Sequence, residues 1–327
     1  MQAVLVNEAG DADHLTLGSY PMPRPAEDEL LVKVKATALN RADVMQRQGL
    51  YPPPKGASPI LGLEMAGVVE TVGSQCQGWQ PGDRVFGLLP GGGYAEYAVI
   101  PGAMAMPIPE HFSFEDAAAI TEVFLTAYQC LFWIARLQAG ETVLIHAGAS
   151  GVGTAAIQLV KAFGARAIVT AGTAQKLDAC RNLGADVAIN YKEGRFAEKV
   201  FEATDGQGVQ VILDFVAAAY WEQNLTALAI DGRMVIIAAL GGTKVDQVDL
   251  GSILKKRLQI TGTSLRVRSL EYKIQLTREF ADFALPRFAD GRLKPVIDRV
   301  FAWDAVQEAH RYMEANKNIG KIVLTLP

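Results

Sequence analysis

Residues 143–165 read VLIHAGASGVGTAAIQLVKAFGA and set Gly151-x-Gly153-x-x-Ala156 between an apolar strand-like run and a helical one. Glycines at that spacing let the chain turn tightly and bring its backbone close to a pyrophosphate. The phosphate charge then meets the positive end of the following helix. Alone the spacing is a weak signal. In a strand, turn, helix context followed by more units of the same kind, it predicts a dinucleotide-binding turn.

A dinucleotide-binding fold normally places an Asp or Glu on the adenosine ribose at the end of the second strand. Here that strand ends in VTAGTAQK, with Gly172 and Thr173 where the acid is expected. A carboxylate would accept hydrogen bonds from a free 2′-hydroxyl but would repel a 2′-phosphate, which carries about two negative charges. Small residues followed by a cation suit the phosphate. Lys176 opens the next helix, and Tyr191 in INYK offers a phenolic donor from the neighbouring strand end. Singly, the lysine could be a solvated helix face and the tyrosine a packing residue. Together with the missing acid they point to NADPH rather than NADH.

The elements that must position these residues follow from pattern. From residue 1 to about 109, short alternating runs such as ELLVKVKATAL and DRVFGLLP are separated by Gly and Pro, which predicts a β-rich region. Ser113 with Asp116 forms a capping-box pattern ahead of a helix, and helical patterning continues through FLTAYQCLFWIAR. From residue 141 short apolar strands alternate with helical segments, which predicts a doubly wound parallel sheet. The segment from residue 295 returns to strand, helix, strand and completes the first region. The expected boundaries are 1–122, 123–266 and 267–327. The basic cluster Lys255, Lys256, Arg257 reads as a solvated helix end.

Composition narrows the function classes. The 327 residues carry 31 Lys and Arg against 35 Asp and Glu, a net charge of −4 without long basic runs, which argues against nucleic acid as a partner. The N-terminus reads as a strand rather than a signal peptide. The longest uninterrupted apolar run, Met234–Leu240, is far short of the roughly 20 residues that span a bilayer. No membrane partner and a cytoplasmic location are therefore expected. The three cysteines, Cys76, Cys130 and Cys180, are dispersed and fit a reducing compartment.

The stretches ALNRADVMQRQGLYPPP, ILGLEMAGVVETVG, PGDRVFGLLPGGGYAEYAVIP, HAGASGVGTAAIQL and HRYMEANKNIGKIVL make the whole chain resemble the zinc-free quinone oxidoreductases of the medium-chain dehydrogenase/reductase superfamily, most of all the p53-inducible type. The resemblance implies an α/β fold: a Rossmann domain, a GroES-like β-rich catalytic domain, an NADPH cleft between them, and a homodimer that pairs its LQITGTSL strands. It carries the pyrophosphate turn to Ser150, Gly151, Val152 and Gly153, and the 2′-phosphate pocket to Gly172, Lys176 and Tyr191. It carries further cofactor and cleft positions to Asn40, Thr126 and Asn316, and substrate contact to Tyr51. One departure is Ser150 where many such enzymes have glycine, so that its hydroxyl could meet a phosphate.

Zinc-dependent members of that superfamily place a Cys where this chain reads ALNRAD and Gly-His-Glu where it reads Gly62-Leu63-Glu64. Only Glu64 remains of the ligand set, so no metal is expected. Hydride transfer without a Lewis acid needs an acceptor that is already electrophilic, which quinones and activated enones are. An enone or 2-enoyl thioester reductase is the second reading, and an NADPH-binding sensor or structural protein the third.

Overall fold

The computed structural model describes residues 1–327. The chain divides into two compact units, Met1–Leu125 with Arg266–Pro327, and Thr126–Leu265. These divisions differ slightly from the expected ones after residues 122 and 266. The first falls inside a helix, where no Gly or Pro punctuates the sequence.

In the first unit, β1 (Gln2–Val6) pairs antiparallel with β2 (Leu15–Ser19), while β3 (Glu29–Ala38) is the long central strand of a seven-stranded sheet. Helix α1 (Arg41–Arg47) follows β3 directly. Strands β4 (Glu64–Val72), β5 (Arg84–Leu88), β6 (Tyr97–Pro101) and β7 (Ala105–Pro107) extend the sheet, with β4 and β6 both antiparallel to β3. A Cβ on Gly93 would lie 2.6 Å from the Glu64 carbonyl, so the glycine run after Pro90 is what lets that loop press against the start of β4.

The helical pattern after Ser113 folds as consecutive helical elements. Helix α2 (Phe114–Ala118) is capped as read, Ser113 Oγ accepting from Asp116 N at 3.1 Å and Asp116 Oδ2 accepting from Ser113 N at 3.0 Å. The chain restarts as α3 (Thr121–Tyr128), then widens into a π-type turn over Gln129–Ile134. By length and composition the run 114–134 could cross a bilayer, but 78% of its apolar window is buried inside the fold. It therefore replaces Met234–Leu240 as the longest apolar segment; interspersed polar residues hide it from a search for unbroken runs.

The second unit alternates strand and helix: β8 (Thr142–Ile145), α4 (Gly151–Ala162), β9 (Arg166–Ala171), α5 (Ala174–Asn182), β10 (Val187–Asn190), α6 (Phe196–Ala203), β11 (Val209–Asp214), α7 (Trp221–Ala227), β12 (Leu228–Ile236), α8 (Leu250–Lys256) and β13 (Gln259–Gly262). All neighbours are parallel in the order β10-β9-β8-β11-β12-β13, the doubly wound order of dinucleotide-binding sheets. Leu144, Ile168, Ile212 and Met234 fill its interior, as strands covered on both faces require. The basic cluster is not a simple solvated end. Lys256 Nζ donates to the carbonyls of Leu225, Thr226 and Leu228 at 2.9, 2.7 and 2.8 Å, closing the C-terminus of α7, and Arg257 adopts a left-handed φ of 53° and pairs with Asp231.

The C-terminal return adds α9 (Leu270–Ala289), β14 (Ile297–Ala302), α10 (Val306–Glu314) and β15 (Lys321–Thr325) to the first unit. Strand β15 inserts between β14 and β3. It thereby brings Lys321 beside Glu64, the first residue of β4, and Asn40, which follows β3. Lys321 Nζ donates at 2.8 Å to Glu64 Oε1, at 2.8 Å to Asn40 Oδ1 and at 2.8 Å to the Leu39 carbonyl. Asn40 Nδ2 donates to Glu64 Oε1 at 2.9 Å, and Glu122 N at the start of α3 donates to Glu64 Oε2 at 2.8 Å. The ammonium is saturated, and both carboxylate oxygens are used although Glu64 is 0% exposed. Removing one partner strands the other charge in the core. Lys321→Met is expected to cost about 3–5 kcal/mol in urea unfolding, and Lys321→Met with Glu64→Gln to recover much of it; a single variant as stable as the double one would refute the pairing.

Candidate functional site

The glycine turn is built from β8 outward. Ala147 takes a left-handed φ of 48°, and Ser150, extended at φ −71° and ψ 169°, caps α4 by accepting from Gly153 N at 3.1 Å. The hydroxyl hydrogen of Ser150 is not used in that cap and is free to donate. A Cβ at Gly153 would collide with the Ala147 carbonyl and sit 2.6 Å from that of Gly148, so Gly153 is fixed by the tightness of the turn itself. Gly151 and Val152 form the partly exposed first turn of α4, a helix long enough to hold an anion at its N-terminus.

Behind the turn His146 is fully buried and structural. Its Nε2 lies 2.7 Å from Asn224 Oδ1 and its Nδ1 2.9 Å from Thr170 Oγ1, while Asn224 Nδ2 donates to Asp214 Oδ2 at 3.0 Å. The Asn224 amide orientation makes Nε2 the donor, and burial lowers the basicity of the ring. Asp214 Oδ1 in turn accepts from Val216 N at 2.8 Å and Ala217 N at 3.1 Å, which fixes the loop after β11.

At the end of β9, Gly172 and Tyr191 meet: a Cβ on Gly172 would lie 2.7 Å from the Tyr191 hydroxyl. Tyr191 is 41% exposed, with its ring edge-on to Tyr220. Thr173 caps α5 by accepting from Lys176 N at 3.3 Å, which places Lys176 in the first turn of that helix. The three residues that the sequence assigned to one locus are thus a strand-end glycine, the phenol packed on it, and a cation one turn into the next helix.

The other assigned positions are distributed. Thr126 lies buried on α3 in the second unit. Asn40, Tyr51 and Asn316 belong to the first. Asn40 is 7% exposed, and its amide is engaged by Glu64 and Lys321. Asn316 follows α10 with a left-handed φ of 54°, and its Oδ1 accepts from Arg41 Nη2 at 2.7 Å. Tyr51 lies in the loop after α1, with the Arg266 guanidinium 5.3 Å from its ring centroid. Leu63 is buried between Gly62 and Glu64, and no group of three His, Cys, Asp or Glu side chains converges anywhere.

Sequence reading missed Lys321, Arg266 and a polar cluster under α1. Asp43 is 1% exposed and accepts from Asn40 N at 2.7 Å and Gly62 N at 2.9 Å. One turn on, Arg47 pairs with Glu314 at 2.5 Å and lies 3.3 Å from His310 Nδ1, whose Nε2 faces the Tyr94 hydroxyl at 3.4 Å. An acid and a base four residues apart on one short helix were the available signal; only burial distinguishes them from a surface pair.

Burial pushes the Asp43 carboxyl up to about 6, against the two backbone donors. Burial, with Arg47 adding to it, pushes His310 down to about 3. The two act oppositely on stability. His310 binds fewer protons when folded, so its contribution is lost as pH falls from 6.5 towards 3; Asp43 binds more, so its contribution grows as pH falls from about 6 to 3.8. Relative to the unaltered chain, Asp43→Asn is therefore expected to lose stability on acidification more steeply between pH 6 and 4, by up to about 1.4 kcal/mol per pH unit, and His310→Gln less steeply. Urea midpoints across that range measure both slopes, and identical slopes for all three proteins would refute the assignment.

Against known proteins, residues 26–110 match the family profile of the alcohol dehydrogenase GroES-like domain and residues 151–282 that of the zinc-binding dehydrogenases. The chain is 32% identical over 336 residues to human quinone oxidoreductase, covering 100% of this chain and 98% of that protein. It is also 32% identical to part of a phenolphthiocerol/phthiocerol polyketide synthase polypeptide of Mycobacterium tuberculosis, where the match spans 98% of this chain and about 15% of that protein's length. Among solved structures, Escherichia coli quinone oxidoreductase complexed with NADPH superposes with a TM-score of 0.89 at 33% identity, covering 100% of both chains. A protein described as an NAD-dependent alcohol dehydrogenase gives 0.89 at 33% with the same coverage, and the CurK enoyl reductase 0.86 at 30%, covering 100% of this chain and 99% of its own. With this full-length likeness on both the GroES-like and the Rossmann-type units, the chain belongs to the quinone oxidoreductase family of the medium-chain dehydrogenase/reductase superfamily.

Proposed function

We propose that the chain is an NADPH-dependent oxidoreductase that reduces quinones without a metal. The observation that carries this is the end of β9, where Gly172 stands in place of a ribose-binding acid and the Tyr191 hydroxyl packs against it. The residues fit the cofactor. The backbone amides of Gly151 to Gly153 and the Ser150 hydroxyl would hold the pyrophosphate, and Tyr191 with Lys176 the 2′-phosphate. Bound NADPH would supply the hydride and both electrons. Asn40, Thr126 and Asn316 remain the proposed further cofactor positions, and Tyr51 the proposed substrate contact.

Absence of a metal is supported by the donor set itself. Both oxygens of Glu64 already accept from Lys321, Asn40 or Glu122 N, and Leu63 offers no ligand atom. An acceptor must then be electrophilic before it binds. A quinone gains the hydride with its electron pair and takes one proton from water, giving the hydroquinone; no protein acid is required. The likeness to an enoyl reductase supports the second reading, reduction of an enone or 2-enoyl thioester. A homodimer in the cytoplasm is part of the proposal. Its support is the exposed edge strand β13 and the exposed apolar side chains Leu250 and Leu254, at 70% and 80%.

Lys176→Ala is expected to weaken NADPH by roughly 10–100-fold, the loss of one charge-assisted hydrogen bond, with little change for NADH. Equal losses in fluorescence titrations would remove Lys176 from the phosphate site. The purified protein, dialysed against a chelator, should oxidise NADPH with ortho- or para-quinones at an undiminished rate. Turnover with enoyl thioesters alone would favour the second reading, and none with any acceptor would favour a sensor.

A further inference from the structure

Arg266 begins the C-terminal return and is 7% exposed, yet it forms no ion pair. Its Nε and Nη2 donate to the Pro90 carbonyl at 2.9 and 2.8 Å, and Nη2 also to Gln46 Oε1 at 2.7 Å. The guanidinium carbon stands 5.3 Å from the centre of the Tyr51 ring. Nη1 is buried and has no acceptor. An unsatisfied buried donor costs about 1–3 kcal/mol, and more when it is charged, so native structures keep one where something else completes it. Half-buried Lys273, whose basicity is lowered by burial and further by nearby Arg266, adds a second cation without an ion-pair partner.

We propose that Arg266 is a specificity-determining residue that donates from Nη1 to an oxygen of the acceptor molecule held against Tyr51, and binds that oxygen more tightly as it becomes anionic. This rests on the quinone-reduction reading. A quinone oxygen is a weak acceptor before reduction and carries a full charge once the hydride and its electron pair have arrived. A charge-assisted bond to Nη1 therefore favours the reduced anion over the quinone, which is the condition for accelerating the reaction rather than only binding its substrate. The guanidinium keeps its proton throughout, and the hydroquinone anion is protonated by water. Cation–π contact with Arg266 holds the Tyr51 ring in a fixed place beside that donor.

The test separates this role from the support that Arg266 gives to the Pro90 loop, and from the reading of function. Arg266→Met and the milder Arg266→Lys are compared with the unaltered chain in two ways. By calorimetry without cofactor, 4-nitrophenolate, a stable phenolate with the charge of the reduced anion, should bind at least tenfold more weakly to Arg266→Met, with Arg266→Lys between. Equal phenolate binding by all three proteins would overturn the proposal, whatever the enzyme reduces. In turnover, the loss in kcat/KM across a series of substituted para-quinones should grow with the basicity of the hydroquinone anion, while NADPH affinity stays unchanged. A loss uniform across the series would show that Arg266 acts only on the loop. A chain that binds phenolate through Arg266 but reduces no quinone would retain the site and discard the quinone reading.

Discussion

The Glu64 carboxylate is the point on which the first unit turns. It is wholly buried, and Lys321, the Asn40 amide and the first turn of α3 surround it. Each partner comes from a different segment: β15 after residue 320, the end of β3, and the helix that follows the β-rich region. None of these segments can be displaced without exposing or orphaning a charge, so a packing of strands becomes a defined arrangement. The same contacts hold Asn40 in one orientation and engage both oxygens of Glu64.

Around that anchor the unit repeats the device with less charge. Asp43 binds the backbone of Gly62 and Asn40, Arg47 reaches Glu314, and His310 lies between Arg47 and Tyr94. Helix α1 and the C-terminal helix α10 are thereby tied through polar groups inside an otherwise apolar core. Buried polar networks of this type specify one packing provided every member is satisfied. Arg266 Nη1 is a buried donor without an acceptor in the same unit, and it is the donor proposed to meet the acceptor molecule. In the second unit His146, Asn224 and Asp214 play the satisfied role, and there the result is a rigid floor for the glycine turn.

Much of the architecture was legible in the sequence because it depends on local periodicity. Strands of four to nine residues alternating with helices, one glycine turn after the first of them, and a capping pair at Ser113 and Asp116 are signals carried by neighbouring residues. The break at residues 119–120 and the π-type turn at Gln129–Ile134 were not, because an apolar helical run does not announce where its backbone changes pitch. Lys256 was misread for a related reason: a lysine at a helix end looks solvated until the carbonyls of another helix are known to lie within its reach.

The sequence by itself determined the order of elements, the glycine at residue 172 where a ribose acid is expected, and the leucine at residue 63, since each is a matter of residue type at a position. Only the tertiary structure decided what lies beside those positions. Whether Glu64 is a spare ligand or a paired carboxylate depends on Lys321, some 257 residues away. Whether Tyr191 belongs with Gly172 depends on two parallel strand ends meeting in register. Charge and hydrogen-bond satisfaction are properties of proximity, and chain folding sets proximity at separations that spacing along the sequence does not encode.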